Sequence, residues 1–263
     1  MHLLSNNTWN IFFTGLLLLS LVAGLTGCAT TADEQDDTSK WSAKKLYKEG
    51  KMALDAADYE VAIEHFETLE AKYPFGQYAE QAQLDTAYSY YKFEEPDSAI
   101  AEADRFIKLH PRHLNVDYAY YLRGLASASK KDNPMDVFVA QDSSLRDPAS
   151  TRKSYDYFAE LVKKFPNSRY APDAMIRMSH LRNSLATHEI HVANYYSERG
   201  AHVAAVNRAK YVVSNYPQTP ASRLALEIMV KGYEALNMDD LARDATRVLQ
   251  LNPIATPDTS SSR

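Results

Sequence analysis

Five prolines along the chain each follow an aromatic or polar residue: Tyr73-Pro74, His110-Pro111, Phe165-Pro166, Tyr216-Pro217 and Asn252-Pro253. Counting back from each exposes a common pattern. Five positions back stand Leu69, Phe106, Leu161, Val212 and Val248. Eight back stand Phe66, Ala103, Phe158, Ala209 and Ala245, and twelve back Ala62, Ala99, Ser154, Ala205 and Leu241. All but Ser154 are apolar. Columns spaced by three and four fall on one face of an α-helix. Each proline ends its helix, because it cannot continue one. The small residues in the columns admit a close neighbour. A second helical stretch precedes each stripe, with Leu46, Gly50, Ala53 and Leu54 on its face in the first unit.

A helix pair carrying small, aromatic and apolar columns before a proline, with a period near 34 residues, resembles the tetratricopeptide repeat (TPR). The intervals between the prolines are 37, 55, 51 and 36. The first long interval holds a polar insertion, 130–152, with Pro134 and Pro148, after which Asp147-Pro148 reads as an N-cap and first-turn proline restarting a helix. The second long interval has no Pro or Gly from Asp173 to Arg199, so one over-long helix absorbs the excess. The pattern therefore predicts an all-α, TPR-like superhelix of about five repeats over 41–253. Their bounds are about 41–74, 77–111, 117–166, 168–217 and 220–253, with a disordered tail at 254–263.

The first 27 residues differ. They contain no Lys, Arg, Asp or Glu, and Ile11 to Leu25 is a nearly continuous apolar run. That run is short for a membrane span and right for a secretory signal. It ends in Leu25-Thr26-Gly27-Cys28, similar to a bacterial lipobox, and Cys28 is the chain's single cysteine. This makes 1–27 a lipoprotein signal peptide. Cys28 is the expected lipidation site, carrying diacylglycerol and an N-acyl chain. Residues 28–40 are the expected flexible tether. A plain signal peptide or an uncleaved anchor are the other readings. The absence of Lys and Arg from the leader is unusual for any of them. Ala29 follows the cysteine; in lipoproteins of this type a residue other than Asp there accompanies transfer to the outer membrane.

Composition narrows the function. The net charge is −5, with 29 Lys+Arg against 34 Asp+Glu, which gives no footprint for nucleic acid. Three of the eight glycines (Gly15, Gly24, Gly27) lie in the leader, so a glycine-dependent nucleotide fold or turn-rich sandwich is excluded. Neither a nucleophile elbow nor a phosphate-binding loop is present. His110 and His113 flank a proline, and His188 and His191 lie three apart, but no third metal ligand is evident. No enzyme and no cofactor are expected. Tyrosine is in excess at 18, with the pairs Tyr90-Tyr91, Tyr120-Tyr121 and Tyr195-Tyr196. One member of each pair can pack while the other faces a groove, or all can be ordinary packing. Residues 28–168 hold 18 Lys+Arg and 25 Asp+Glu (net −7), and 169–253 hold 10 and 8 (net +2).

Several stretches together resemble the BamD family, lipoproteins of the β-barrel assembly machinery of Gram-negative outer membranes. They are Tyr73-Pro-Phe-Gly-Gln-Tyr78, Ala87-Tyr-Ser-Tyr-Tyr-Lys92, Arg105-Phe-Ile-Lys-Leu-His-Pro111 and Asp117-Tyr-Ala-Tyr-Tyr-Leu-Arg-Gly124. Asp142-Ser-Ser-Leu-Arg-Asp-Pro148, Tyr195-Tyr-Ser-Glu-Arg-Gly200 and Ala204-Ala-Val-Asn-Arg-Ala209 continue the likeness. Leu114 departs from the family's usual proline after His. The resemblance implies a scaffold at the periplasmic face of the outer membrane. Its C-terminal half would dock the barrel-forming subunit and accessory lipoproteins, with Arg199 and Arg208 at the subunit contact. Its N-terminal repeats would bind unfolded outer-membrane proteins. A groove of Tyr73, Phe75, Tyr78, Tyr91 and Arg105 would suit an aromatic segment ending in a carboxylate. The alternative is another periplasmic TPR lipoprotein, such as a pilus-secretin pilotin, which should lack the insertion and the long helix.

Overall fold

The computed structural model describes residues 38–129 and 148–252. Cys28, the leader, most of the insertion and the tail at 254–263 lie outside them. Thr38–Lys40 is one turn of 3-10 helix, closed by the Trp41 N–H donating to the Thr38 carbonyl at 3.1 Å. These are the last residues of the expected tether. The first α-helix begins at Ala43.

From Ala43 the described residues form ten α-helices: α1 Ala43–Asp55, α2 Tyr59–Lys72, α3 Gln77–Lys92, α4 Pro96–Leu109 and α5 Val116–Ser129, then α6 Pro148–Lys164, α7 Ala171–Glu198, α8 His202–Asn215, α9 Pro220–Ala235 and α10 Asp239–Leu251. Each packs on its sequence neighbours. In addition α1 touches α3, α3 touches α5 and α7 touches α9, so the odd-numbered helices line one face of the stack. The helix α6 begins at Pro148, so the last residues of the expected 130–152 insertion are helical. The helix α7 is continuous over 28 residues.

The columns read from the prolines form the core. Phe66, Phe106, Phe158, Leu69, Leu161 and Val212 are fully buried. Ser154, the polar exception, is also fully buried and donates its hydroxyl to the Gly124 carbonyl at 3.0 Å, which satisfies the group in place. Only Leu241 and Val248 on α10 stay exposed, because among the described helices none packs beyond α10. The aromatic columns need gaps opposite. A Cβ on Gly50 would stand 2.6 Å from the Phe66 ring, and one on Gly124 2.5 Å from the Phe158 ring.

Turns within repeats share one cap. Ala57, Glu94, Gly200 and Asn237 adopt positive φ (62°, 60°, 71° and 55°). The next N–H reaches five residues back in each case: Asp58 to Ala53, Glu95 to Tyr90, Ala201 to Tyr196 and Met238 to Tyr233, all at 2.9 Å. This is the Schellman closure, which satisfies carbonyls left open at a helix end. Turns between repeats use the residue before each proline: the N–H of Tyr73, His110, Phe165 and Tyr216 each closes on the carbonyl four back at 2.8 Å.

Candidate functional site

The odd-numbered helices of the first repeats enclose a concave cavity of about 500 Å³. Lys51, Leu54 and Asp55 come from α1, and Gln81, Leu84, Asp85 and Tyr88 from α3. Asn115 precedes α5, Tyr118 lies on it, and Arg169 and Tyr170 close the far side at the start of α7. The alignment is a product of repetition: equivalent helix faces stack side by side, so tyrosines about one repeat apart share a wall.

Asp85 is the more buried of the cavity's two acids, Asp55 being exposed. Tyr47 donates its hydroxyl to Asp85 Oδ2 at 3.0 Å, Gln81 Nε2 donates to Oδ1 at 3.4 Å, and Lys51 Nζ lies 3.7 Å away. Burial pushes the Asp85 carboxyl above the usual range, with Lys51 opposing. The wall opposite is aromatic. The Tyr118 and Tyr170 rings meet at 5.4 Å, and Tyr170 stacks on Tyr121 at 4.9 Å and 16°. Burial drives the Tyr118 hydroxyl well above its ordinary value, aided by Tyr88 and Tyr170. Tyr121 donates to Asp173 Oδ2 at 2.5 Å, and Arg177 Nε pairs with the same oxygen at 2.6 Å. The Tyr121 bond is the main reason the Asp173 carboxyl sits below the usual range. Chemically the cavity offers tyrosine faces, one buried acid and the cations Lys51 and Arg169, a lining suited to holding an extended aromatic segment.

The five groove residues expected from sequence are not brought together here. None of them lines the cavity. Two border its lining: the Tyr91 ring lies 6.4 Å from Tyr88, and the Tyr78 ring 5.5 Å from Tyr47, which holds Asp85. Tyr73 and Phe75 stand in the α2–α3 turn, Phe75 90% exposed. Tyr91 packs with Ala87, Ala103 and Leu122 and lines a separate depression of about 310 Å³ with Pro96 and Ser129. Arg105 is ion-paired with Glu70 and with Glu102, so its guanidinium already has carboxylates. Sequence reasoning missed Tyr88, Tyr118 and Tyr170. The available signal was the spacing Tyr88–Tyr91 and Tyr118–Tyr121, three apart and hence on one helix face.

Arg199 caps α7; its guanidinium lies 3.5 Å from the Tyr195 ring centroid and donates to the Tyr195 carbonyl at 3.3 Å. Arg208, half-exposed on α8, pairs with Glu189 at 3.1 Å. His113 accepts the Asn115 N–H on Nδ1 at 3.1 Å, with Nε2 3.5 Å from Glu80. Among the described residues no three His, Cys, Asp or Glu gather as metal ligands.

A family model described as an outer membrane lipoprotein (YfiO) matches residues 39–249. The chain belongs to this family. An outer membrane protein assembly factor BamD of Neisseria gonorrhoeae is 45% identical over 240 residues, covering 90% of each chain. The protein of that name from Vibrio cholerae is 37% identical over 92% of this chain and 98% of its own. A solved thermophilic TPR protein of Thermus thermophilus covers 81% of the chain at 12% identity, with a TM-score of 0.36. No described helix is long and apolar enough to cross a membrane.

Proposed function

We propose that this chain is an outer-membrane assembly lipoprotein: a non-catalytic scaffold, acylated on Cys28, held at the periplasmic face, that docks a barrel-forming subunit and receives unfolded outer-membrane proteins. Family membership carries the reading, since relatives covering nine-tenths of the chain are named as outer membrane protein assembly factors. The pilotin alternative is not favoured by these relatives.

Within this reading the concave cavity holds the client. Tyr88, Tyr118 and Tyr170 supply faces for aromatic side chains, Tyr78 extends the wall through Tyr47, and Lys51 and Arg169 are the cations for a terminal carboxylate. Arg105, paired with two acids, is set aside for that role. Alanine at Tyr88, Tyr118 and Tyr170 should reduce crosslinking to a peptide from an outer-membrane protein C-terminus, and alanine at Tyr91 and Arg105 should not. The reverse result would restore the groove read from sequence.

Arg199 and Arg208 serve the subunit contact, together with accessory lipoproteins on the same half. Mild-detergent purification through a C-terminal tag should recover a stoichiometric β-barrel protein with periplasmic domains, and Arg208→Glu should weaken that recovery without unfolding the chain. A secretin in its place would return the pilotin reading. Acylation is read by the mass of the mature N-terminal fragment.

A further inference from the structure

Helix direction sorts the charges of the first three repeats onto two edges. Odd-numbered helices start, and even-numbered helices end, at the edge carrying the turns between repeats. Exposed there are Lys44, Lys48, Lys72, Lys108, Arg112 and Lys163. Two acids at that edge face partners within the stack: Glu80 lies 3.5 Å from His113, and Asp117 accepts the Ser168 hydroxyl at 2.6 Å. The opposite edge is acidic. Its two described turns carry Asp55, Asp58, Glu60, Glu94, Glu95 and Asp97, with Lys92 the cation among them. Helix dipoles account for part of this, favouring cations where even-numbered helices end and acids where they start. They do not account for Lys44, in the first turn of α1, where a cation is disfavoured, or for Arg112, which lies in a turn.

Two large apolar side chains share the basic edge. Phe75 is 90% and Leu114 91% exposed. They stand in successive turns leading into α3 and α5, helices that touch and whose axes therefore lie about 10 Å apart. Isolated apolar side chains among cations match a bilayer interface, which offers apolar depth and phosphate charge without a shaped pocket.

We propose that this edge seats on an anionic lipid surface, Phe75 and Leu114 entering the headgroup boundary and the surrounding cations facing phosphates. The proposal rests on the reading of Cys28 as the acylated residue. Ala43 begins α1 on the same edge, 15 residues after Cys28, a span of at most about 50 Å. A tether of that reach holds the repeats near the bilayer without orienting them. The charged edges then choose the orientation, the acidic one being repelled.

The test uses the full-length acylated chain in phosphatidylethanolamine–phosphatidylglycerol vesicles. Cys28 is consumed by acylation, so a dye reports only an introduced thiol: Phe75→Cys, Leu114→Cys or, on the acidic edge, Glu94→Cys. A nitroxide carried at shallow depth on lipid should quench the first two at least about twofold and leave the third unchanged, as an edge held at the headgroup boundary requires. Lys108→Glu with Arg112→Glu should relieve the quenching at position 75. Equal response at all three positions, or quenching that ignores the charge reversal, overturns the proposal. Burial of positions 75 and 114 only when an acidic partner protein is added overturns it in favour of a protein interface. Flotation with the vesicles reads the anchor separately, so quenching decides the edge and flotation decides Cys28.

Discussion

Arg123 shows what a buried charge needs in a helical stack. It is 8% exposed, between the rings of Tyr120 and Tyr157 at 5.0 and 4.1 Å from their centroids. Its fork reaches Asp104 Oδ1 at 2.7 Å on α4 and Glu160 Oε2 at 2.5 Å on α6. One α5 side chain thus ties two even-numbered helices. Lysine lacks the fork and the plane. Arg123→Lys should cost about 2–3 kcal/mol in a urea melt, below the upper range for broken buried pairs because both carboxylates can rehydrate. Asp85 behaves in the opposite sense. Its folded carboxyl titrates above the usual range because burial outweighs Lys51 and Tyr47. Its contribution is therefore fully present below about pH 4 and is lost as pH rises through the folded value. Asp85→Asn should leave the protein at least as stable at pH 7, while the advantage vanishes near pH 3. A larger loss at pH 7 than at pH 3 would mean the ionised carboxylate holds the fold.

Elements show where sequence reading succeeds and where it stops. The stripes were legible because burial demands apolar residues at helical spacing, and the prolines were legible because they cannot continue a helix. The intra-repeat cap was not, since four different residues (Ala57, Glu94, Gly200, Asn237) occupy one left-handed position. Only glycine takes that conformation without steric cost. Ala57→Gly and Glu94→Gly should each stabilise the chain by about 0.5–1 kcal/mol in thermal or urea unfolding. The small residues facing the aromatic column respond oppositely. Gly124→Ala places a methyl 2.5 Å from the fully buried Phe158 ring and should cost about 1–3 kcal/mol. Adding Phe158→Leu should recover part of that loss if the clash is the cause. The cavity of α1, α3, α5 and α7 was not legible in the sequence for a related reason. Adjacent tyrosine pairs mark one helix, whereas the cavity is built from single tyrosines on three consecutive repeats.

At the scale of the whole molecule, the charge asymmetry read along the chain is only one of two. Acidic and basic clusters alternate with helix direction, so the sequence shows no run of either sign, and only antiparallel packing separates them into edges. The same stacking logic makes stability a sum over neighbouring repeats, and the last described repeat packs on one neighbour among the described helices. Val212 and Val248 occupy one column, five residues before Pro217 and Pro253. Val212 is fully buried beneath the following helix and Val248 is 40% exposed on α10. Identical truncations should therefore differ. Val212→Ala removes buried methyl groups between two repeats and should cost about 2 kcal/mol, while Val248→Ala should cost under about 0.5 kcal/mol. The measurement is paired urea denaturation of the two variants. If Val248→Ala matched Val212→Ala, the end of the stack would be covered by something beyond α10, and the terminal helix would have to be treated as an internal one.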